Sequence, residues 1–174
     1  GSRISMFVVC PFDALGSTMA TFGGQNVGAG KLDRLGQGLR SAVILGAVYS
    51  AIILLVLIVF GQNLVYLFVD PKETVVVAQA RQFLITNAVF YVPLALVNIV
   101  RFLIQGMGFS GFAVFAGVFE MIARALVGLA FVPLFGYSAA CFASPLAWIF
   151  ADCFLIPAFF HCRKKLMQAG SDQM

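Results

Sequence analysis

Between Ala14 and Gly30 the chain carries no charged residue for 17 positions, and from Ser41 to Val69 none for another 29. Lys31, Asp33, Arg34 and Arg40 are crowded into the gap between the two runs. An apolar, charge-free run of about 18 residues or more is long enough to cross a bilayer as a helix. The stretch from Thr21 to Arg34, TFGGQNVGAGKLDR, closes an apolar helix with glycines and delivers a basic flank, as the end of a membrane span does.

Composition excludes the main alternative. The chain is 61% hydrophobic and 10% charged, with a mean hydropathy of +1.00, whereas soluble domains carry about 25% charged residues. Too few ionic groups remain to cover a water-soluble globule. The net charge of +4 sits at segment ends, not along one face with aromatics interleaved. It therefore reads as membrane orientation and not as a nucleic-acid surface. Cys10, Cys141, Cys153 and Cys162 form no CxxC and have no histidine partners at metal-ligand spacing, so the expectation is lipid-buried thiols and no metal. No nucleophile–base pair is evident, and no enzyme is expected.

The expected fold is all-α, a polytopic membrane helix bundle. Only helices and closed barrels satisfy their backbone in lipid, and no strand-type alternation recurs. Five spans are placed at about residues 4–29, 41–60, 82–105, 112–131 and 137–160. Residues 1–165 form one transmembrane lobe, and 166–174 a polar tail. Leu64 to Val69 is expected at the interface, with a helix break at Asp70–Pro71 and a turn at Pro133 to Gly136. Lys31, Arg34, Arg40, Arg101, Arg163, Lys164 and Lys165 collect on one side, and Arg3, Lys72 and Arg81, beside Asp70 and Glu73, on the other. Four crossings separate the basic loop 30–40 from the basic tail, so both face one compartment. The positive-inside rule makes it the cytoplasm, with Gly1 outside. An odd number of spans with an external start reads as the end of a larger transporter.

Small residues recur every fourth position in the first span at Gly16, Ala20, Gly24 and Gly28. Such a stripe allows close helix packing, or it faces a substrate groove. Residues 106–111, GMGFSG, match GxGxxG, but they follow an apolar helix and not a strand, so a tight turn between antiparallel spans is expected instead of a dinucleotide site. Glu120 and Arg124 stand one turn apart, with 18 uncharged residues before and 27 after. Intramembrane charges are costly, so this is a structural ion pair, a cation- or proton-coupling site, or a polar cavity wall. Asn87, Tyr91, Asn98 and Gln105 form a polar stripe along the third span past Pro93, which should kink it. The stripe serves as interhelical glue or lines a cavity where Tyr91 meets organic cations through cation–π contact. Asp13 is a further cavity candidate, and Asp152, one turn after Trp148, has no partner supplied by the sequence. His161 belongs to the basic helix end.

Together these motifs resemble one family. PFDALGSTMATFGGQNVGAGKLDR is similar to the eighth-helix region of the multidrug and toxic compound extrusion (MATE) family. RFLIQGMG (Arg101 to Gly108) resembles the end of its helix ten, GVFEMIARALV (Gly117 to Val127) the G-x-x-E-x-x-x-R pattern of helix eleven, and FGYSAACFASPLAWIFAD (Phe135 to Asp152) helix twelve. The resemblance implies a C-terminal lobe, helices eight to twelve, of a secondary antiporter that exports organic cations or drugs in exchange for protons or sodium ions, with no other cofactor. The implied partners are the N-terminal lobe, the first helix of the C-terminal lobe, the lipid bilayer and small organic cations. The implied location is a bacterial plasma (inner) membrane, and the piece alone is expected to be inactive, since alternating access needs two lobes. An acidic residue carried by one branch in helix ten falls at about Leu94 here. The alternatives are a lipid-linked sugar flippase of the same superfamily, expected to carry more cavity arginines, and a non-transporting membrane scaffold.

Overall fold

The computed structural model describes residues 2–66, 74–131, 133 and 136–171. Among them run six α-helices and no strand. These are α1 (Ser2–Gly28), α2 (Asp33–Tyr66), α3 (Thr74–Val89), α4 (Tyr91–Gly106), α5 (Ser110–Leu126) and α6 (Tyr137–Ser171), with α5 extended by a π-helical turn at Val127–Phe131. Four helices are long and apolar enough to cross a membrane, and α3 with α4, bent by 55°, is long and apolar enough as a pair to make up to a fifth span.

The bend falls at Phe90, one turn before Pro93. Proline has no N–H to give the carbonyl four residues back, here that of Val89. The chain re-forms with Phe90 N donating to Asn87 O at 3.0 Å and Leu94 N to Phe90 O at 3.3 Å. The kink expected from Pro93 is thus displaced to the carbonyl that the proline orphans.

Two helices outrun their expected spans. α2 begins at Asp33 rather than near residue 41, so the basic loop shrinks to a turn and Arg34 and Arg40 ride on the helix. Asp33 suits that position because an acidic side chain in the first turn opposes the helix dipole. α6 runs on to Ser171, so residues 166–171 of the expected tail are helical. Leu64 to Tyr66 continue α2, while the expected break at Asp70–Pro71, with Lys72 and Glu73, lies outside the described residues, as do residues 134 and 135 of the turn at 133–136.

Two turns fix the helix order. Gly30 closes α1 at φ +69°, a conformation open to glycine, and Lys31 N donates to Asn26 O at 2.9 Å. Gly108, at φ +92°, makes the α4–α5 turn inside the GxGxxG match, with Phe109 N donating to Ile104 O at 3.1 Å.

α4 is the central helix and touches all five others. Its buried residues, including Leu94, Val97, Ile99, Val100, Leu103 and Ile104, surround it on nearly every side. The large exposed apolar residues lie on the outer helices, such as Leu45, Ile52 and Val59 of α2 and Val114, Phe115 and Ile122 of α5, where lipid covers them without cost. At one end of the bundle Arg163 reaches Asp33 at 3.9 Å and Lys165 lies over the Phe109 ring at 5.8 Å. The α1–α2 turn, the α4–α5 turn and the basic end of α6 therefore share that end. At the other end Tyr137 Oη donates to Gln79 O at 3.0 Å.

Candidate functional site

Two polar regions remain within the bundle, one closed and one open. The closed one joins α4, α5 and α6. Glu120 accepts from Arg124 Nη2 at 3.3 Å on one carboxylate oxygen and from Arg101 Nη1 at 3.4 Å on the other. Arg101 also donates through Nε to Ala113 O at 3.3 Å. Gly117 makes room for it, since a Cβ there would lie 2.7 Å from Arg101 Nη2. The G-x-x-E-x-x-x-R spacing thus has a physical meaning: the glycine admits an arginine from α4, and the glutamate holds it. Asp152 is buried on α6, which packs against both α5 and α4. Its Oδ1 has no hydrogen-bond partner among the described residues.

The open region is one face of α1. Phe12, Gly16, Met19, Gly23 and Asn26 are buried, and this seam packs on α4. A Cβ at Gly16 would lie 2.6 Å from the Phe102 ring, and one at Gly23 2.9 Å from Leu103. At Gly106 a Cβ would collide with the Ala20 backbone, so the two helices meet backbone to backbone. On the opposite face Asp13, Ser17, Thr21 and Gln25 are all exposed, four residues apart. The hydroxyls satisfy themselves locally, with Ser17 donating to Asp13 O at 2.9 Å and Thr21 to Ser17 O at 3.3 Å. Asp13 is left exposed on the least apolar of the four single-helix spans.

The expected site residues divide between these regions and the core. Glu120 and Arg124 do pair. Arg101, assigned by sequence only to a helix end, is the third member, and Asp152 is buried on the neighbouring helix α6. Both were obscured because they lie on other helices. Asn87 and Asn98 are buried in the packed interior, and Asn87 Nδ2 donates to Phe83 O at 2.8 Å. Tyr91 is buried too, in an aromatic chain that runs from Tyr49 through Phe12 (5.0 Å) to Tyr91 (5.8 Å) and Trp148 (6.4 Å). Its Oη makes no hydrogen bond of good geometry, with Ser5 as the polar side chain beside it. These three residues line no open surface; the polar stripe with an open aspect is that of α1, and it includes Asp13. Gln105 is exposed at the end of α4.

In the small-residue stripe, Gly16 and Ala20 meet α4, and a Cβ at Gly24 would lie 3.4 Å from Gly106 O. Gly28 has nothing within 4 Å, while Gly23, outside the four-residue pattern, is buried. No group of three or more potential metal ligands occurs among the described residues.

With this geometry in place the family is decided by the match of the MatE family model to residues 1–130. The chain belongs to the MatE family. Its long apolar helices make this MatE protein an integral membrane protein. It is 28% identical over 77 residues to a Bacillus subtilis (strain 168) protein named "Probable multidrug resistance protein YoeA". That match covers 44% of this chain and spans 17% of the relative's length. No solved structure matches the chain significantly.

Proposed function

We propose that this MatE chain is the C-terminal lobe, helices eight to twelve, of a secondary antiporter that exports organic cations in exchange for protons or sodium ions by alternating access. The observation that carries the reading is the exposed face of α1. A row of Asp, Ser, Thr and Gln is expensive against hydrocarbon, and polar groups at membrane depth belong against water or protein. A water-filled cavity between two lobes supplies that environment, at the site where such carriers bind their cargo.

The chemistry of the face suits cations. Among its described residues Asp13 is the charged one and no arginine stands beside it, which favours a cationic cargo over the lipid phosphate of a flippase. The multidrug name of the Bacillus relative supports the same class. The basic residues gathered at one end of the bundle support, by the positive-inside rule, a cytoplasmic position for that end in a bacterial inner membrane. The partner of the α1 face is then an N-terminal lobe, together with a first C-lobe helix, and the chain by itself transports nothing because a single lobe has nothing to rock against.

The test is efflux of a fluorescent organic cation from cells that express the complete protein. Asp13→Asn should slow efflux about tenfold, equivalent to about 1.4 kcal/mol of a lost charge contact, at unchanged expression. Unaltered efflux in Asp13→Asn would overturn the role of this face. Proton- or sodium-driven efflux from vesicles that contain only residues 1–174 would overturn the two-lobe reading.

A further inference from the structure

We propose that the basic end of the bundle is a binding site for the phosphate of an anionic phospholipid, anchored on Arg163. Three observations carry it, and the first is a seat for the guanidinium. α6 packs on α3, α4 and α5 and not along α2, and the Arg163 side chain reaches across to the start of α2. Its Nη2 approaches Asp33 Oδ1 at 3.9 Å, and a Cβ at Gly36 would lie 3.5 Å from its Nη1. Glycine at 36 leaves the space that a larger side chain would take from the arginine.

The second observation is that this guanidinium is under-used. It carries five N–H donors. Its Nε is sealed from solvent with no acceptor among the described residues. Asp33 at 3.9 Å is too distant for a hydrogen bond, and the Asp33 side chain is itself 93% exposed, so it can turn aside. The Arg163 side chain is 28% exposed, which leaves it open to an anion from outside. Phosphate offers the paired oxygens that a guanidinium fork binds best.

The third observation is the change of character along the helices. Lys31, Arg34, Arg40, Lys164 and Lys165 are all exposed at this end. One helical turn inward the surface becomes apolar, with Phe160 exposed below Lys164 and Ile44 exposed below Arg40. A phospholipid has the matching profile, an anionic phosphate above hydrocarbon chains, and basic side chains close to an anionic bilayer surface each add about fivefold in affinity. A free phosphate would meet the cations and leave the apolar flank unused, so the lipid is the occupant. The site rests on the helix ends alone and stands whether or not the chain exports cations.

The test is native mass spectrometry of the complete protein in a neutral detergent, titrated with phosphatidylglycerol or with phosphatidylcholine. The parent should retain phosphatidylglycerol in preference. Arg163→Gln should weaken one retained phosphatidylglycerol about tenfold, and Lys164→Gln about fivefold or less. Gly36→Leu alters no charge but fills the seat of Arg163, so it should behave as Arg163→Gln does, while Arg81→Gln on α3 should change nothing. Should Gly36→Leu fail to fold, Arg163→Lys, which keeps the charge and loses the fork, should still bind more weakly than the parent. An excess of inorganic phosphate should leave the lipid in place. Equal retention of the two lipids, unchanged binding in Arg163→Gln, or displacement of the lipid by inorganic phosphate overturns the proposal.

Discussion

The two sides of α4 hold their neighbours by opposite means. Towards α1 the contact is dry and built from absent side chains: Gly16, Gly23 and Gly106 let the backbones meet. In lipid no hydrophobic drive pulls helices together, so this close approach supplies dispersion and weak hydrogen bonds in its place. Towards α5 and α6 the contact is charged, with Arg101 reaching across to Glu120 and to the Ala113 carbonyl. The first interface is set by backbone approach at Gly106 and Gly23; the second is set by charge, with Gly117 leaving room for Arg101. The difference teaches that a membrane lobe can be held by steric fit on one side of its central helix and by charge on the other.

That contrast predicts a graded series. The largest effect should come from Gly106→Leu, whose Cβ meets the Ala20 backbone. Backbone cannot rotate aside, so the loss should reach or pass the upper end of the roughly 1–3 kcal/mol of core overpacking. Thermal unfolding in detergent checks it, and a melting temperature equal to that of the parent would break the contrast. Next comes Arg101→Gln, expected to cost about 2 kcal/mol because it strands part of a mostly buried carboxylate and frees the Ala113 carbonyl. Arg124→Gln should cost less, under about 1 kcal/mol, since this side chain is 48% exposed against 26% for Arg101 and exposed pairs contribute little. No loss in Arg101→Gln beside a clear loss in Arg124→Gln would assign the stabilisation to the helical i,i+4 pair alone. Smallest of all, Gly28→Leu should stay within about 0.5 kcal/mol, because a Cβ there meets nothing.

That last variant also marks where sequence reading reached its limit. The four-residue stripe of Gly16, Ala20, Gly24 and Gly28 is visible in the letters. A helix with 3.6 residues per turn, however, slews such a stripe by about 40° at each step. The contact instead follows Phe12, Gly16, Met19, Gly23 and Asn26, alternating steps of four and three, so the stripe leaves the interface before Gly28. The bundle, its spans and the basic ends were legible because charge-free length and glycine turns are local signals. The Glu120–Arg124 pair was legible for the same reason. Arg101 was not, because only tertiary packing sets a residue 19 positions from Glu120 beside it. Burial of Asn87, Tyr91 and Asn98 was likewise hidden: a polar stripe in an apolar helix looks the same whether it faces water or a neighbouring helix. The open polar face of α1 was written in the sequence as Asp13, Ser17, Thr21 and Gln25, and only the packing of the opposite seam on α4 identifies it as open.

The central claim is that this face of α1 meets water inside the membrane while the outer face of α2 meets lipid. It is tested most directly by labelling with a membrane-impermeant maleimide in the complete protein, with every native cysteine replaced by alanine. Single cysteines at Ser17, Thr21 and Gln25 should react, and those at Leu45, Ile52 and Val59, exposed apolar positions of α2, should not. Failure of all three α1 positions to react, or labelling of the α2 positions at the same rate, would contradict the account.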